Sequence, residues 1–138
     1  MTRRGVKAVP EIETAFLEAS PRPMGKRHMA GSNIITGTLE LLILQTLKWG
    51  PKHGYAIGRW ISERTGGTFD LEEGVLYPAL HRLNKKGWLK GEWGETDTGR
   101  RARFYSLSKR GWKALQKETV RWEEHVGAVA AVLGHSEA

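Results

Sequence analysis

Residues 73–86 read EGVLYPALHRLNKK. Leu76, Leu80 and Leu83 recur at spacings of four and three, which marks one stripe of a helix. Pro78 limits where that helix begins, because a missing N–H is tolerated near the first turn and disruptive deeper in. The pattern predicts a helix that starts close to Glu73-Gly74, runs to about Lys86 and is closed by Gly87. With the leucines turned to a core, a rotation of about 100° per residue fixes the outer face. That face carries Gly74, Pro78, His81 and Lys85, flanked by Val75, Tyr77 and Arg82.

Downstream, Trp88 to Trp93 alternates well enough for a strand, residues 94–99 are polar and turn-rich, and Arg101 to Leu107 alternates again. Ser108 then caps a long final helix. Upstream, Thr36 or Thr38 caps a first helix carrying Leu39, Leu41, Leu42, Ile43, Leu44 and Leu47, apolar on more than one face and stopped by Gly50-Pro51. A second helix spans about Gly54 to Arg64, with Tyr55, Ile57 (or Ala56), Trp60 and Ile61 inward, and ends at Gly66-Gly67. His53 shapes the turn between these two helices. The order is helix, helix, helix, strand, loop, strand, long helix. That order predicts a mainly α (α+β) fold: a winged helix-turn-helix with a two-stranded β wing and a long C-terminal dimerisation helix.

In a helix-turn-helix the second helix of the motif enters the major groove. Here it offers Val75, Tyr77 and Pro78, then His81 and Arg82, beside Gly74 on the same DNA-facing side, with Arg82, Lys85 and Lys86 also within reach of phosphates. Between Arg82 and Lys113 ten Lys and Arg face three acids, a net of +7, equal to the formal charge of the entire 138-residue chain. Arg100, Arg101 and Arg103 place part of this charge on the hairpin, suited to a minor groove or to phosphates. Double-stranded DNA is the expected partner. The alternative is a winged helix used for protein–protein or RNA contact.

Trp112, Leu115, Thr119, Trp122, Val126, Val129 and Leu133 are spaced as a heptad seam along the last helix. The three helices and hairpin make a complete domain without it, so the stripe is expected to pair with a second copy. Its other reading is a helix folded back on its own domain. Two reading heads related by a two-fold axis match a palindromic site. Paired tryptophans across such an axis, Trp122 above all, are candidates to sandwich a flat aromatic effector, although an aromatic stripe is more often core.

Three regions follow: residues 1–32 as a basic N-terminal arm, 33–107 as the DNA-binding domain, and 108–138 as the dimerisation helix and short tail. The arm holds Pro10, Pro21, Pro23 and the basic patch Lys26, Arg27 and His28. It reads as an extension ahead of a start at Met29, or as a segment that touches DNA. The chain has no cysteine, which excludes disulfides, thiolate catalysis and cysteine zinc sites. It lacks a membrane-length apolar run and a secretory signal, so a cytoplasmic protein is expected. G-x-G-x-x-G, G-x-x-x-x-G-K-[ST] and H-E-x-x-H are absent, and the five histidines lack metal-ligand spacing. Neither enzyme activity, cofactor nor metal is expected.

Several blocks, in order and spacing, resemble the PadR-like family of bacterial transcriptional regulators, in particular its short members with one C-terminal dimerisation helix. They are Gly37-Thr38-Leu39-Glu40-Leu41-Leu42-Ile43-Leu44, His53-Gly54-Tyr55-Ala56-Ile57, Glu73 to Leu83, Gly87-Trp88-Leu89, and Arg100 to Ser108 with Gly111. The resemblance implies a repressor that binds an inverted repeat and loses DNA affinity when a small molecule binds. It implies that the helix over 74–86 reads the major groove and that the tip over 95–101 contacts backbone or minor groove. Tyr77 matches a tyrosine typical of the family's recognition helix. Trp122 lies where some multidrug-sensing relatives place a ligand-stacking tryptophan. The long basic arm departs from the family's usual short N-terminus.

Overall fold

The computed structural model describes residues 29–30 and 37–134. Its elements are β1 (Met29–Ala30), α1 (Thr38–Leu47), β2 (Lys52–His53), α2 (Gly54–Arg64), β3 (Phe69–Asp70), α3 (Glu73–Lys85), β4 (Leu89–Glu95), β5 (Arg101–Leu107) and α4 (Lys109–Leu133). This is a winged-helix fold, mostly α, with the three short helices and the hairpin in the order the sequence implies. The arm apart from Met29–Ala30, the candidate cap Thr36, and the tail after residue 134 lie outside the described residues.

The core is where the three short helices converge. Ile43, Leu44, Ile57, Ile61, Leu76, Leu80 and Leu83 are each at most 2% exposed. The leucine stripe of α3 is therefore its buried face, joined by Ala79 at 0%. In α1, Leu39, Leu41 and Leu42 pack against the core as partly buried neighbours, consistent with a helix covered on two sides. Thr46, in the last turn of α1, is fully buried, and its hydroxyl donates to the Leu42 carbonyl at 2.8 Å, which meets the cost of burying it.

The helix ends follow local chemistry. Thr38 is the first helical residue of α1 and not its cap; Gly37, at φ 90°, takes that position without a side-chain hydrogen bond. His53 caps α2, its Nδ1 accepting from Ala56 N–H at 3.3 Å. Both α2 and α3 close in a Schellman motif. In α2 the Gly67 N–H reaches Ser62 O and the Gly66 N–H reaches Glu63 O; in α3 the Trp88 N–H reaches Leu83 O and the Gly87 N–H reaches Asn84 O. Pro78 sits in the second turn of α3, one turn further in than its chemistry favours. Its ring and the residue four before it, Gly74, are both on the exposed side.

β4 and β5 form an antiparallel hairpin in register from Leu89↔Leu107 to Glu95↔Arg101. Its loop closes through Thr96, whose N–H donates to Arg100 O at 2.8 Å and whose Oγ1 accepts from Arg100 N–H at 3.1 Å. The sheet is wider than the expected two strands. β2 adds to β5 antiparallel, Lys52↔Tyr105 and His53↔Phe104, and fastens the α1–α2 turn to the wing. β1 pairs parallel with β3, Met29↔Phe69 and Ala30↔Asp70, just before α3.

Ser108 begins α4 and ties it to the domain. Its Oγ accepts from Gly111 N–H at 3.0 Å and donates to Gly87 O at 2.6 Å. The domain is not complete without this helix: Ala114 and Leu115, at 8% and 5% exposure, belong to the core. From residue 120 onward every described residue of α4 is exposed. Its 25 residues span roughly 37 Å, so most of the helix projects from the core. No helix among the described residues is long and apolar enough to cross a membrane.

Candidate nucleic-acid interface

The buried stripe of α3 fixes what its other side presents. Gly74, Pro78, His81, Arg82, Lys85 and Lys86 are exposed, while Val75 and Tyr77 are half-buried. Glu73 stands in the first turn, where a carboxylate complements the helix dipole. The cations lie towards the other end of the helix.

Tyr77 is turned back toward α2. A Cβ built on Gly54 would stand 2.8 Å from both Cε1 and the hydroxyl oxygen of Tyr77, and that hydroxyl is buried. The ring thus fills the space that glycine leaves at the start of α2, locking the N-terminal halves of the two helices together. Tyr77 is thus half-buried beneath the outer face of α3, against the start of α2.

Arg82 and Lys86 are not bare cations. Glu40 of α1 receives Arg82 Nε at 3.3 Å and Lys86 Nζ at 3.1 Å. These are largely solvated pairs, Arg82 being 54% and Lys86 44% exposed, so they steer the side chains more than they stabilise the fold. Lys86 also lies over the Trp88 ring at 4.4 Å from its centroid.

On the wing Arg100 is exposed at the end of the loop, while Arg101 and Arg103 are half-buried. Both lie over Trp93 of the facing strand, at 4.9 Å and 5.7 Å from the ring centroid. At the wing's inner edge the His53 ring meets Phe104 edge-on at 5.2 Å and stacks near Tyr55 at 6.3 Å. Burial lowers the His53 pKa below its ordinary 6.5, opposed by the negative charge of Asp97 in the wing loop. A neutral ring is also what an accepting Nδ1 requires.

Along α4 the heptad positions divide. Leu115 is 5% exposed and serves its own domain, so it is not available to an outer seam. Trp112 at 47%, Trp122 at 37%, Val126 at 40%, Val129 at 41% and Leu133 at 77% are exposed large hydrophobics, with Thr119 half-buried between them. Trp122 has His125 beside it at 5.8 Å between ring centroids. Among the described residues there is no group of three or more His, Cys, Asp or Glu able to hold a metal.

Sequence periodicity reached the outer face of α3, the arginines of the wing and the stripe of α4. It missed Glu40, Gly54 and Trp93, whose roles depend on partners far away in sequence or across a strand. A glycine opening a helix and a tryptophan opposite an arginine in the hairpin register were the available signals.

Comparison with known proteins accords with this geometry. The sequence model of the transcriptional regulator PadR-like family matches residues 43–117. An uncharacterized protein of Lysinibacillus sphaericus is 31% identical over 96 residues, covering 70% of this chain and 88% of that protein. A transcriptional regulator structure from Clostridium thermocellum superposes with a TM-score of 0.66 at 28% identity, covering 73% of this chain and 98% of the other. A PadR family transcription regulator structure from Clostridium difficile R20291 gives a TM-score of 0.63 at 28% identity, covering 71% and 100%.

Proposed function

The chain belongs to the PadR-like family of transcriptional regulators, DNA-binding proteins and not enzymes, and from that premise we propose that it is a repressor that binds an inverted-repeat operator as a homodimer. α3 enters the major groove with Gly74, Val75, Pro78 and His81 foremost, Tyr77 bracing them from behind. Arg82 and Lys85 meet the flanking phosphates, and Arg100, Arg101 and Arg103 bring the wing to the backbone or minor groove.

The observation that carries this reading is the pairing of a cationic α3–wing surface with an unpartnered apolar stripe on the projecting part of α4. Exposed tryptophan, valine and leucine along one helix favour a partner helix. A second copy of the same helix supplies one and sets two reading heads about a two-fold axis. Trp112, Thr119, Trp122, Val126, Val129 and Leu133 form that seam.

A small aromatic effector fits the same seam. Trp122 offers a flat face there, and a ligand inserted between two such helices re-spaces the heads. Release requires that the ligand bind the two spacings with different affinity.

Selection of genomic fragments, including the chain's own promoter, at near-physiological salt tests the proposal. Enrichment of one inverted repeat supports it. A protein that enriches none, or that prefers RNA, contradicts operator reading.

A further inference from the structure

The wing carries an aromatic centre among its cations. Trp93 stands opposite Arg103 in the β4–β5 register. Side chains two apart on a strand share a face, so Arg101 points to the same side as Arg103. Both guanidinium groups lie over the indole ring, at 4.9 Å for Arg101 and 5.7 Å for Arg103. The tryptophan itself is 41% exposed. Its ring therefore borders solvent with two cations laid on it.

Arg103 is confined on a second side. A Cβ built on Gly91 would fall 2.6 Å from its Nη2 and 2.7 Å from its Nε. The guanidinium lies against the bare backbone of β4, in space that only glycine leaves open. An arginine ordinarily gives up much rotamer freedom when it docks on a phosphate. One already held between a ring and a backbone has lost that freedom before the partner arrives, which is preorganisation.

We propose that Trp93 is a positioning residue of the DNA interface: with the bare backbone at Gly91 it holds Arg101 and Arg103 in a fixed cationic array on the wing, oriented for DNA phosphates. This rests on the DNA-binding reading of the wing given above. Trp93 acts through the arginines and not by touching DNA itself.

The test compares the full chain with W93A, W93F, G91A, R101A and R103A. The first measurement needs no DNA: the side-chain Nε–Hε resonances of Arg101 and Arg103 in nitrogen-edited NMR spectra. A cation above an indole face experiences its ring current, so both resonances are displaced in the parent chain. They return toward random-coil positions in W93A and stay partly displaced in W93F.

The second measurement is affinity for duplex DNA against salt. W93A loses about five- to ten-fold in affinity, the worth of two partly exposed cation–π contacts, with an unchanged salt slope because both cations remain. W93F recovers most of the loss. G91A, which displaces Arg103 with Trp93 intact, weakens binding in the same way and carries the test if W93A does not fold. R101A and R103A each reduce the slope by about 1. Undisplaced resonances in the parent chain overturn the proposal. So does parental affinity in folded W93A and G91A while R101A and R103A still lose slope, an outcome that leaves the wing's DNA contact standing. Parental affinity and slope in R101A and R103A instead sink the wing reading and this proposal with it.

Discussion

Tyr77 of α3 lies over Gly54 at the start of α2, so close that a Cβ on Gly54 would stand 2.8 Å from Tyr77 Cε1. α3 is thus seated on a position where only glycine fits. Gly54→Ala is expected to cost about 1–3 kcal/mol by overpacking and to weaken specific DNA binding by shifting the first turns of α3. Urea denaturation and duplex titration check both effects. Combined with Tyr77→Ala the loss should fall short of the sum, because the second change removes the clash.

The cap on α2 makes stability depend on pH. Burial depresses the folded-state pKa of His53, so the unfolded chain takes up the proton first as pH falls. The stabilisation is fully present above about 6.5, the unfolded value, and is lost as pH drops from there through the depressed folded value. His53→Asn puts an amide oxygen in place of the accepting Nδ1 and removes the titration. Thermal melts between pH 7.5 and pH 5 should show a shallower decline for the variant; parallel declines would remove His53 as the cause.

Glu40 restrains the cations of α3. Its pairs with Arg82 and Lys86 are exposed enough that Glu40→Gln should change stability by no more than about 1 kcal/mol. On DNA the same carboxylate repels phosphate. Random-sequence duplex binding should tighten roughly three-fold at moderate salt, lowering the preference for an operator. Anisotropy titrations on specific and random duplexes measure that ratio directly.

The fold was largely legible in the sequence, and the reason is local. Leu76, Leu80 and Leu83 at helical spacing, and glycines at 66–67 and 87, encode α2, α3 and their ends within short windows. The wing was legible from alternation around a polar loop. β2 was not, since two residues after Gly50-Pro51 carry no periodicity and become a strand only by pairing with Tyr105 and Phe104. The β1–β3 pair escaped for the same reason. Leu115 fits the heptad seam by spacing, yet packing assigns it to the core, because spacing cannot say which partner an apolar stripe meets. The grip of Glu40 on Arg82 spans 42 residues and left no local trace.

The exposed apolar stripe of α4 is separate from the core, so its proposed role in dimerisation can be tested without unfolding the domain. Val126→Glu and Val129→Glu alter side chains that are 40% and 41% exposed, while Ala114 and Leu115 keep the helix attached. Sedimentation should show a dimer for the parent chain and a monomer for the double variant, with an unchanged helical spectrum. A variant that remains dimeric would place the partner surface elsewhere.

Two α3 helices reading one inverted repeat require a fixed spacing between half-sites. An enriched repeat should hold its half-sites about one helical turn apart, or a multiple of it. Inserting about half a turn of DNA between them, roughly 5 base pairs, turns one half-site to the opposite side of the duplex. For the proposed dimer, affinity should then fall to that of a single half-site and return when a full turn is inserted. Affinity that ignores the insertion would mean that the two heads do not read one repeat together.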